Sequence, residues 1–268
     1  MAALIVSVRS VRHRPRKRFG QNFLVDETVV SRIVDAINPQ RGEHMVEIGP
    51  GLGALTRPLA ERLDHLHIVE IDRDLVRELR AEFPRARVTV HEGDALSFDF
   101  ATLGSGLRVV GNLPYNISTP LLFHLSHSAT FIGDIHVMLQ REVVARMVAR
   151  PSSSDYGRLS IMIQYRFQLE PLMTIPASAF RPAPKVESAV VRMVPFVQLP
   201  HLARDEAWFG RIVTAAFSQR RKTLRNALKR YVGADDFKRL GIDANRRPQD
   251  LAIAEFVRLA DFAAKADA

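Results

Sequence analysis

The chain contains no cysteine among its 268 residues, which excludes disulfides and thiolate metal sites. Its nine histidines never adopt a His-Glu-x-x-His or comparable ligand spacing. His65 and His67, two apart in a predicted strand, read as surface residues, so no structural metal is expected. No apolar run approaches the ~18–20 residues of a membrane-spanning helix, and no internal repeat or low-complexity tract occurs. Acids are absent from the first eighteen residues, which carry Arg9, Arg12, Arg14, Arg16, Lys17 and Arg18. What remains is an ordinary globular composition, 47% hydrophobic and 25% charged, long enough for one large domain plus a small one.

The formal net charge is +9. A positive field of that size implies an anionic partner, nucleic acid before anionic membrane, because no basic amphipathic anchor with bulky apolar residues accompanies it. The basic start has two readings, an arm that touches RNA or an Arg-rich, acid-poor transit peptide. It holds only two serines and merges directly into Phe19-Gly-Gln-Asn-Phe-Leu24, which favours the arm. A secretory signal is not expected, since the apolar piece over residues 2–8 is short and precedes the charges. A cytoplasmic location is expected.

From about residue 26 to 150 strands and helices alternate. Asp26 is placed to cap a helix reaching residue 37. Strands are predicted at 44–48, 66–71, 88–91, 107–110 and 135–139, with helices at 55–63, 73–82, 119–126 and 142–149. This rhythm argues for a mostly parallel sheet with helices on both faces. Two further strands, 168–175 and 188–194, are joined by the Pro-rich link Ala179-Phe-Arg-Pro-Ala-Pro-Lys185, as in a return at a sheet edge. Beyond about residue 198 only helices are predicted, at 206–217, 222–231, 235–240 and 253–264.

Between the first strand of the sheet and its helix lies Glu47-Ile-Gly-Pro-Gly-Leu-Gly53. Gly49, Gly51 and Gly53 allow close backbone approach to a ligand. The segment formally matches the dinucleotide fingerprint, so alone it does not separate NAD from S-adenosylmethionine. Glu70, ending the second strand, suits ribose hydroxyls in either scheme; pairing with Arg73 is its bland alternative. Asp94, after the third strand, suits a cofactor adenine amine, or simply caps a turn.

The fourth strand runs into Asn112-Leu-Pro-Tyr115, a corner for which hydride transfer has no use. An adenine amine is a poor nucleophile because its lone pair is delocalised into the ring. The Asn112 side-chain oxygen and the Leu113 carbonyl can accept its two hydrogens, while Tyr115 stacks on the base, worth about 1–3 kcal/mol. Positioning then supplies most of the rate. Phe180 either closes the other face of the base or plugs the core beneath a loop.

Together these segments resemble the bacterial 16S rRNA adenine N6,N6-dimethyltransferase family from Arg16 onward. The resemblance is carried by Arg16-Lys-Arg-Phe-Gly-Gln-Asn-Phe-Leu24, Val46-Glu-Ile-Gly-Pro-Gly-Leu-Gly53, Gly111-Asn-Leu-Pro-Tyr-Asn-Ile-Ser-Thr119, Tyr156-Gly-Arg-Leu-Ser160, Ala179-Phe-Arg-Pro-Ala-Pro-Lys-Val186 and Phe217-Ser-Gln-Arg-Arg-Lys-Thr-Leu-Arg-Asn226. It implies a Rossmann-like α/β methyltransferase sheet at 16–198, after a basic extension at 1–15, and a small all-helical rRNA-binding domain at 199–268. It implies that Asn22, Leu24, Gly49, Gly51, Glu70, Asp94 and Asn112 bind S-adenosylmethionine, and that Asn112, Leu113, Tyr115 and Phe180 handle the target base. The implied reaction is dimethylation of two adjacent adenosines near the 3′ end of 16S rRNA in a pre-30S particle. No metal or membrane is implied, and a monomer is the default. A large-subunit rRNA adenine methylase of the macrolide-resistance type, a transcription factor derived from the family, and an NAD-dependent oxidoreductase are the alternatives.

Arg220, Arg221, Lys222 and Arg225 are candidate RNA contacts. Arg221, Arg225 and Lys229 recur at i, i+4 and i+8, which predicts a basic stripe along one helix, with Arg220, Arg221 and Lys222 near its N-terminus.

Overall fold

The computed structural model describes residues 21–219 and 221–266. The expectations placed on residues 1–18 and on Arg220 lie outside these. Among the described residues nine strands and ten α-helices follow in the order β1 (Phe23–Leu24), α1 (Glu27–Ile37), β2 (Met45–Ile48), α2 (Thr56–Arg62), β3 (Leu66–Glu70), α3 (Arg73–Glu82), β4 (Val88–Glu92), β5 (Leu107–Asn112), α4 (Ser118–His127), β6 (Ile132–Gln140), α5 (Arg141–Val148), α6 (Arg158–Gln164), β7 (Phe167–Ile175), β8 (Phe180–Arg181), β9 (Ser188–Pro195), α7 (Glu206–Phe217), α8 (Leu224–Ala227), α9 (Ala234–Arg239) and α10 (Ile253–Ala266).

Local chemistry explains the boundaries. Asp26 accepts from the backbone N–H groups of Thr28 and Val29 and starts α1, which ends where Asn38 turns left-handed at φ 49°. Asp72 caps α3 in the same way through Asp74. Strands β2 and β5 are almost wholly buried, as parallel strands covered on both faces must be.

The main sheet has the order β4-β3-β2-β5-β6-β9-β7. The first five strands are parallel, and β9 runs antiparallel between β6 and β7. Alternation along the strands sends neighbours to opposite faces. Val46, Val69 and Val109 join the core that contains α4 and α5 residues, while Met45, Ile68 and Val110 join the core that contains α1, α2 and α3 residues. At the N-terminal end of β5, Arg108 grips Asp134 with two nitrogens at 2.9 and 3.0 Å and reaches Glu43 at 2.6 Å and the Ile37 carbonyl at 2.7 Å, tying α1 to two strands.

Three features differ from the sequence reading. Helix α6 was not expected, and neither was the small ladder that pairs Phe23–Leu24 with Phe180–Arg181. The basic helix expected over 222–231 is only the four-residue α8. The N–H groups of Leu224 and Arg225 are tied to the carbonyls of Arg246 and Ala244. Leu228 then leaves helical geometry at φ −108°, ψ 12°, with its side chain fully buried. Tertiary anchoring overrides local helix propensity here. Among the described residues after 205 the regular elements are helices, as expected, but their core also takes in Tyr156, Ile161 and Tyr165, the last stacked on Phe209 at 4.4 Å.

Candidate active site

Strand order reverses between β2 and β5, and open α/β sheets bind ligands in the crevice outside the carboxyl ends of strands at such a point. A cavity lies there, lined by the glycine loop, the ends of β3 and β5, the 93–95 turn and residues 21–24. Gly49 and Gly51 have φ of 66° and 58°, which strains any other residue. A side chain on Gly49 would stand 3.8 Å from the Asn112 carbonyl and Pro114, and one on Gly51 would stand 3.0 Å from the Phe23 ring. The loop is therefore a cradle that a Cβ would narrow.

Glu70 is buried at 6% exposure. One oxygen accepts from the Asp72 N–H at 2.8 Å and the other from Gly51 at 3.4 Å. Burial raises its pKa against those hydrogen bonds. Arg73 pairs with Glu92 instead, so Glu70 is not spent on its neighbour. Asp94 caps the turn through the Leu96 N–H at 2.9 Å while still facing the cavity. Glu47, to which the sequence pattern assigns no role, is 1% exposed and accepts from the Thr56 hydroxyl at 2.6 Å. Burial first, and then the nearby Glu70 charge, push its pKa to about 7. Glu47, Glu70 and Asp94 are the charged residues lining the cavity, and no Lys, Arg or His lines it among the described residues.

At the corner, the Asn112 amide nitrogen donates to the Asn22 carbonyl at 3.0 Å. A carbonyl only accepts, so this bond sets the amide's orientation and leaves its oxygen as a free acceptor. The Leu113 N–H is tied to the Met138 carbonyl at 3.1 Å, and the Leu113 carbonyl accepts no hydrogen bond among the described residues. Both oxygens expected to receive an amine are thus at the cavity and unspent. The half-buried Tyr115 hydroxyl is 2.6 Å from the Ser188 hydroxyl, a partner that no spacing rule could reveal because 73 residues separate the two.

Asn22 and Leu24 both line the cavity, as expected. Phe180 does not. It is fully buried in the core with Leu24, Ala179 and Val190, because its ladder with β1 turns it inward, and the core-plug alternative describes it. Arg221, Lys222 and Arg225 are exposed and form no ion pair among the described residues, but Arg221 and Lys222 lie in a turn before α8. They do not share a helical stripe with Lys229. Among the described residues no group of three or more His, Cys, Asp or Glu could hold a metal ion, and no helix is long and apolar enough to cross a membrane.

A switch-point cavity lined by acids, beside an Asn-Leu-Pro-Tyr corner with open acceptors, defines a Rossmann-like methyltransferase acting on an amine. The chain belongs to the ribosomal RNA adenine dimethylase family, whose model matches residues 12–265. It is 60% identical over 252 residues to the ribosomal RNA small subunit methyltransferase A of Nitrosospira multiformis, covering 94% of this chain and 97% of that one. It is 61% identical over 244 residues to that of Thiobacillus denitrificans, covering 91% and 96%. The fold is shared with a dimethyladenosine transferase from Plasmodium falciparum (TM-score 0.74, 23% identity, 88% of this chain and 95% of that one). It is also shared with the 23S rRNA methyltransferase ErmE (TM-score 0.68, 23% identity, 90% and 98%).

Glu47 makes stability depend on pH. Unfolded it titrates near 4.5 and folded near 7. Between those values the native state keeps a proton that the unfolded chain releases, so stability falls as pH rises through the window and levels off above it. The Glu47 contribution to that fall is on the order of 3 kcal/mol. Urea unfolding of the ligand-free protein at pH 5, 6, 7 and 8 is expected to show Glu47→Gln gaining on wild type as pH rises. A constant difference between the two would exclude Glu47 as the titrating group.

Proposed function

We propose that this rRNA adenine dimethylase uses S-adenosylmethionine to dimethylate the N6 amines of two adjacent adenosines near the 3′ end of 16S rRNA. The substrate is a pre-30S particle, and the enzyme works as a monomer in the cytoplasm. The observation that carries the cofactor assignment is the charge of the cavity. Among the described residues its charged lining is the acids Glu47, Glu70 and Asp94, with no Lys, Arg or His. A dinucleotide pyrophosphate would face them without a counter-ion, whereas a sulfonium and an α-amino group are cations. The glycine loop alone leaves that choice open.

S-adenosylmethionine supplies an electrophilic methyl group when bound. Glu70 accepts from ribose hydroxyls, Asp94 through its remaining oxygen accepts from the cofactor's adenine amine, and the loop at Gly49 and Gly51 admits the methionine end. Asn22 and Leu24 close the cavity from the N-terminal side. The Asn112 oxygen and the Leu113 carbonyl accept the two hydrogens of the target amine. That draws its nitrogen out of conjugation and aims the lone pair into the cavity, while Tyr115 carries the base on its ring. The N–C bond would form as the sulfonium's S–C bond breaks, leaving a neutral thioether, and the now acidic N–H proton would pass to water, so that rate comes from orientation with no strong general base. The exposed Arg221, Lys222 and Arg225 bind phosphates and set register on the rRNA, with the Arg16-Lys17-Arg18 arm assisting.

S-adenosylmethionine is expected to raise the melting temperature as RT ln(1 + [L]/Kd) requires, and NAD to leave it unchanged. Glu70→Ala should largely abolish that shift by removing charge-assisted acceptors. A shift with NAD alone would overturn the assignment.

Asn112→Ala should abolish methylation of unmethylated 30S particles while RNA affinity stays close to wild type. Some cofactor affinity is also lost, because the same amide holds Asn22. Retained methyl transfer, read by mass spectrometry of the rRNA, would remove Asn112 from the reaction.

Neutralising Arg221, Lys222 and Arg225 together with Gln should weaken binding to 30S particles. It should also flatten the salt dependence by roughly 0.7–0.9 in log–log slope for each phosphate that is no longer neutralised. Cofactor affinity should be unchanged. An unaltered slope would mean a merely solvated cluster.

A further inference from the structure

We propose that Ser188 is a positioning residue for methyl transfer, its buried hydroxyl anchoring the tip of the Tyr115 ring to the sheet. The inference rests on the reading of Tyr115 as the platform for the target base. Ser188 is fully buried, and its hydroxyl has the Tyr115 hydroxyl, at 2.6 Å, as its hydrogen-bond partner among the described residues. That separation is normal for a good O–H···O bond. A buried hydroxyl is costly unless it is bonded, and this one is bonded to the ring of the corner.

The backbone on either side of the bond is rigid at one end and loose at the other. Ser188 opens β9 and is registered on both sides, against Gln140 of β6 and Ile175 of β7. The preceding residue is clamped as well, since the Glu187 carbonyl accepts from the Arg141 N–H at 2.9 Å. Tyr115 sits in the connection between β5 and α4, where a corner held only by its backbone would let the ring swing about two side-chain torsions. The Tyr115 carbonyl accepts from the buried Ser118 hydroxyl at 3.1 Å, so one serine holds the residue's main chain and the other holds its ring. A site is most accurate when strand residues lock its rotamers. Here the lock comes from a strand that otherwise contributes nothing to the cavity.

The chemical consequence is selective. The ring itself supplies stacking and is unaffected by losing the hydroxyl bond. What is lost is the fixed plane on which the base presents its amine to Asn112 and to the cavity, and small misplacements of that kind cost rate. Ser188→Ala and Tyr115→Phe remove the same bond from opposite ends, one from the interior and one from the half-exposed ring.

The test is a double-mutant cycle on steady-state methylation of unmethylated 30S particles with labelled S-adenosylmethionine, with cofactor affinity measured separately by calorimetry. Each single variant is expected to lower kcat about five- to tenfold, with KM for the particle within about twofold and cofactor affinity unchanged. The double variant should be no slower than the worse single one, because the two changes delete one interaction. Ser188→Thr, which restores the hydroxyl, should recover most of the rate. Multiplicative losses, an unchanged kcat in Ser188→Ala, or a loss that follows cofactor affinity or melting temperature in Ser188→Ala but not in Tyr115→Phe would overturn the proposal. Wild-type protein that places no methyl group on adenine in these particles would instead refute the proposed reaction itself.

Discussion

The reversal of strand order between β2 and β5 is the constraint on which the rest of the molecule depends. From β2 the chain winds outward through β3 to β4, then returns to build β5 on the opposite side of β2. The connections at the C-terminal ends of β2 and β5 therefore leave in opposite directions and a crevice opens between them. Backbone topology alone brings the glycine loop, Glu70, the turn at Asp94 and the Asn112 corner to that one place, although they are spread over more than sixty positions of sequence. Two cores, one on each face, hold the reversal in place.

Within the crevice Asn112, Leu113 and Asp94 each have one polar atom tied down and another left open. The Asn112 nitrogen is bound to the Asn22 carbonyl, which exposes its oxygen. Leu113 gives its N–H to Met138 and keeps its carbonyl. Asp94 caps a turn with one oxygen. Glu70 is braced by the N–H groups of Asp72 and Gly51. Preorganisation of this kind removes the entropy of aligning the groups at the moment of reaction, and an enzyme that works by orientation depends on that.

Charge divides the surface into two kinds of site. The chain is strongly basic as a whole, yet among the described residues the charged groups that line its cavity are all acids. A long-range positive field attracts a polyanion to the outside of the molecule. Inside, where solvent screens less, acids make a more favourable surrounding for a cation than for a phosphate. The buried Glu47 holds its proton up to about pH 7, chiefly because burial penalises its charged form and only then because of the nearby Glu70 charge.

How much of this was legible in the sequence depended on range. Period-two and period-3.6 patterns, the cap at Asp26, and the glycine spacing are local, and they placed the alternating strands and helices to within a residue or two, except that β6 starts three residues earlier than expected. The Asn112-Leu-Pro-Tyr115 corner was legible for the same reason. The strand ends on which the candidate cofactor residues sit followed from that pattern. The unread features are those made by partners far apart in the chain. Phe180 went to the core because a ladder with Phe23–Leu24 turned it inward. The basic helix after residue 222 stopped at Ala227 because segment 244–246 captured its backbone and Leu228 was drawn into the core. Glu47 owes its retained proton to burial beside Glu70. Ser188 reached Tyr115 only through sheet register. By itself the sequence determined the alternating strands and helices of the main sheet, the strand-end site and its chemical class, since side-chain periodicity and turn chemistry act over a few residues. Tertiary structure alone decided which side chains are spent on one another and which remain free to meet a substrate, because burial and long-range hydrogen bonds exist only after the chain has closed on itself.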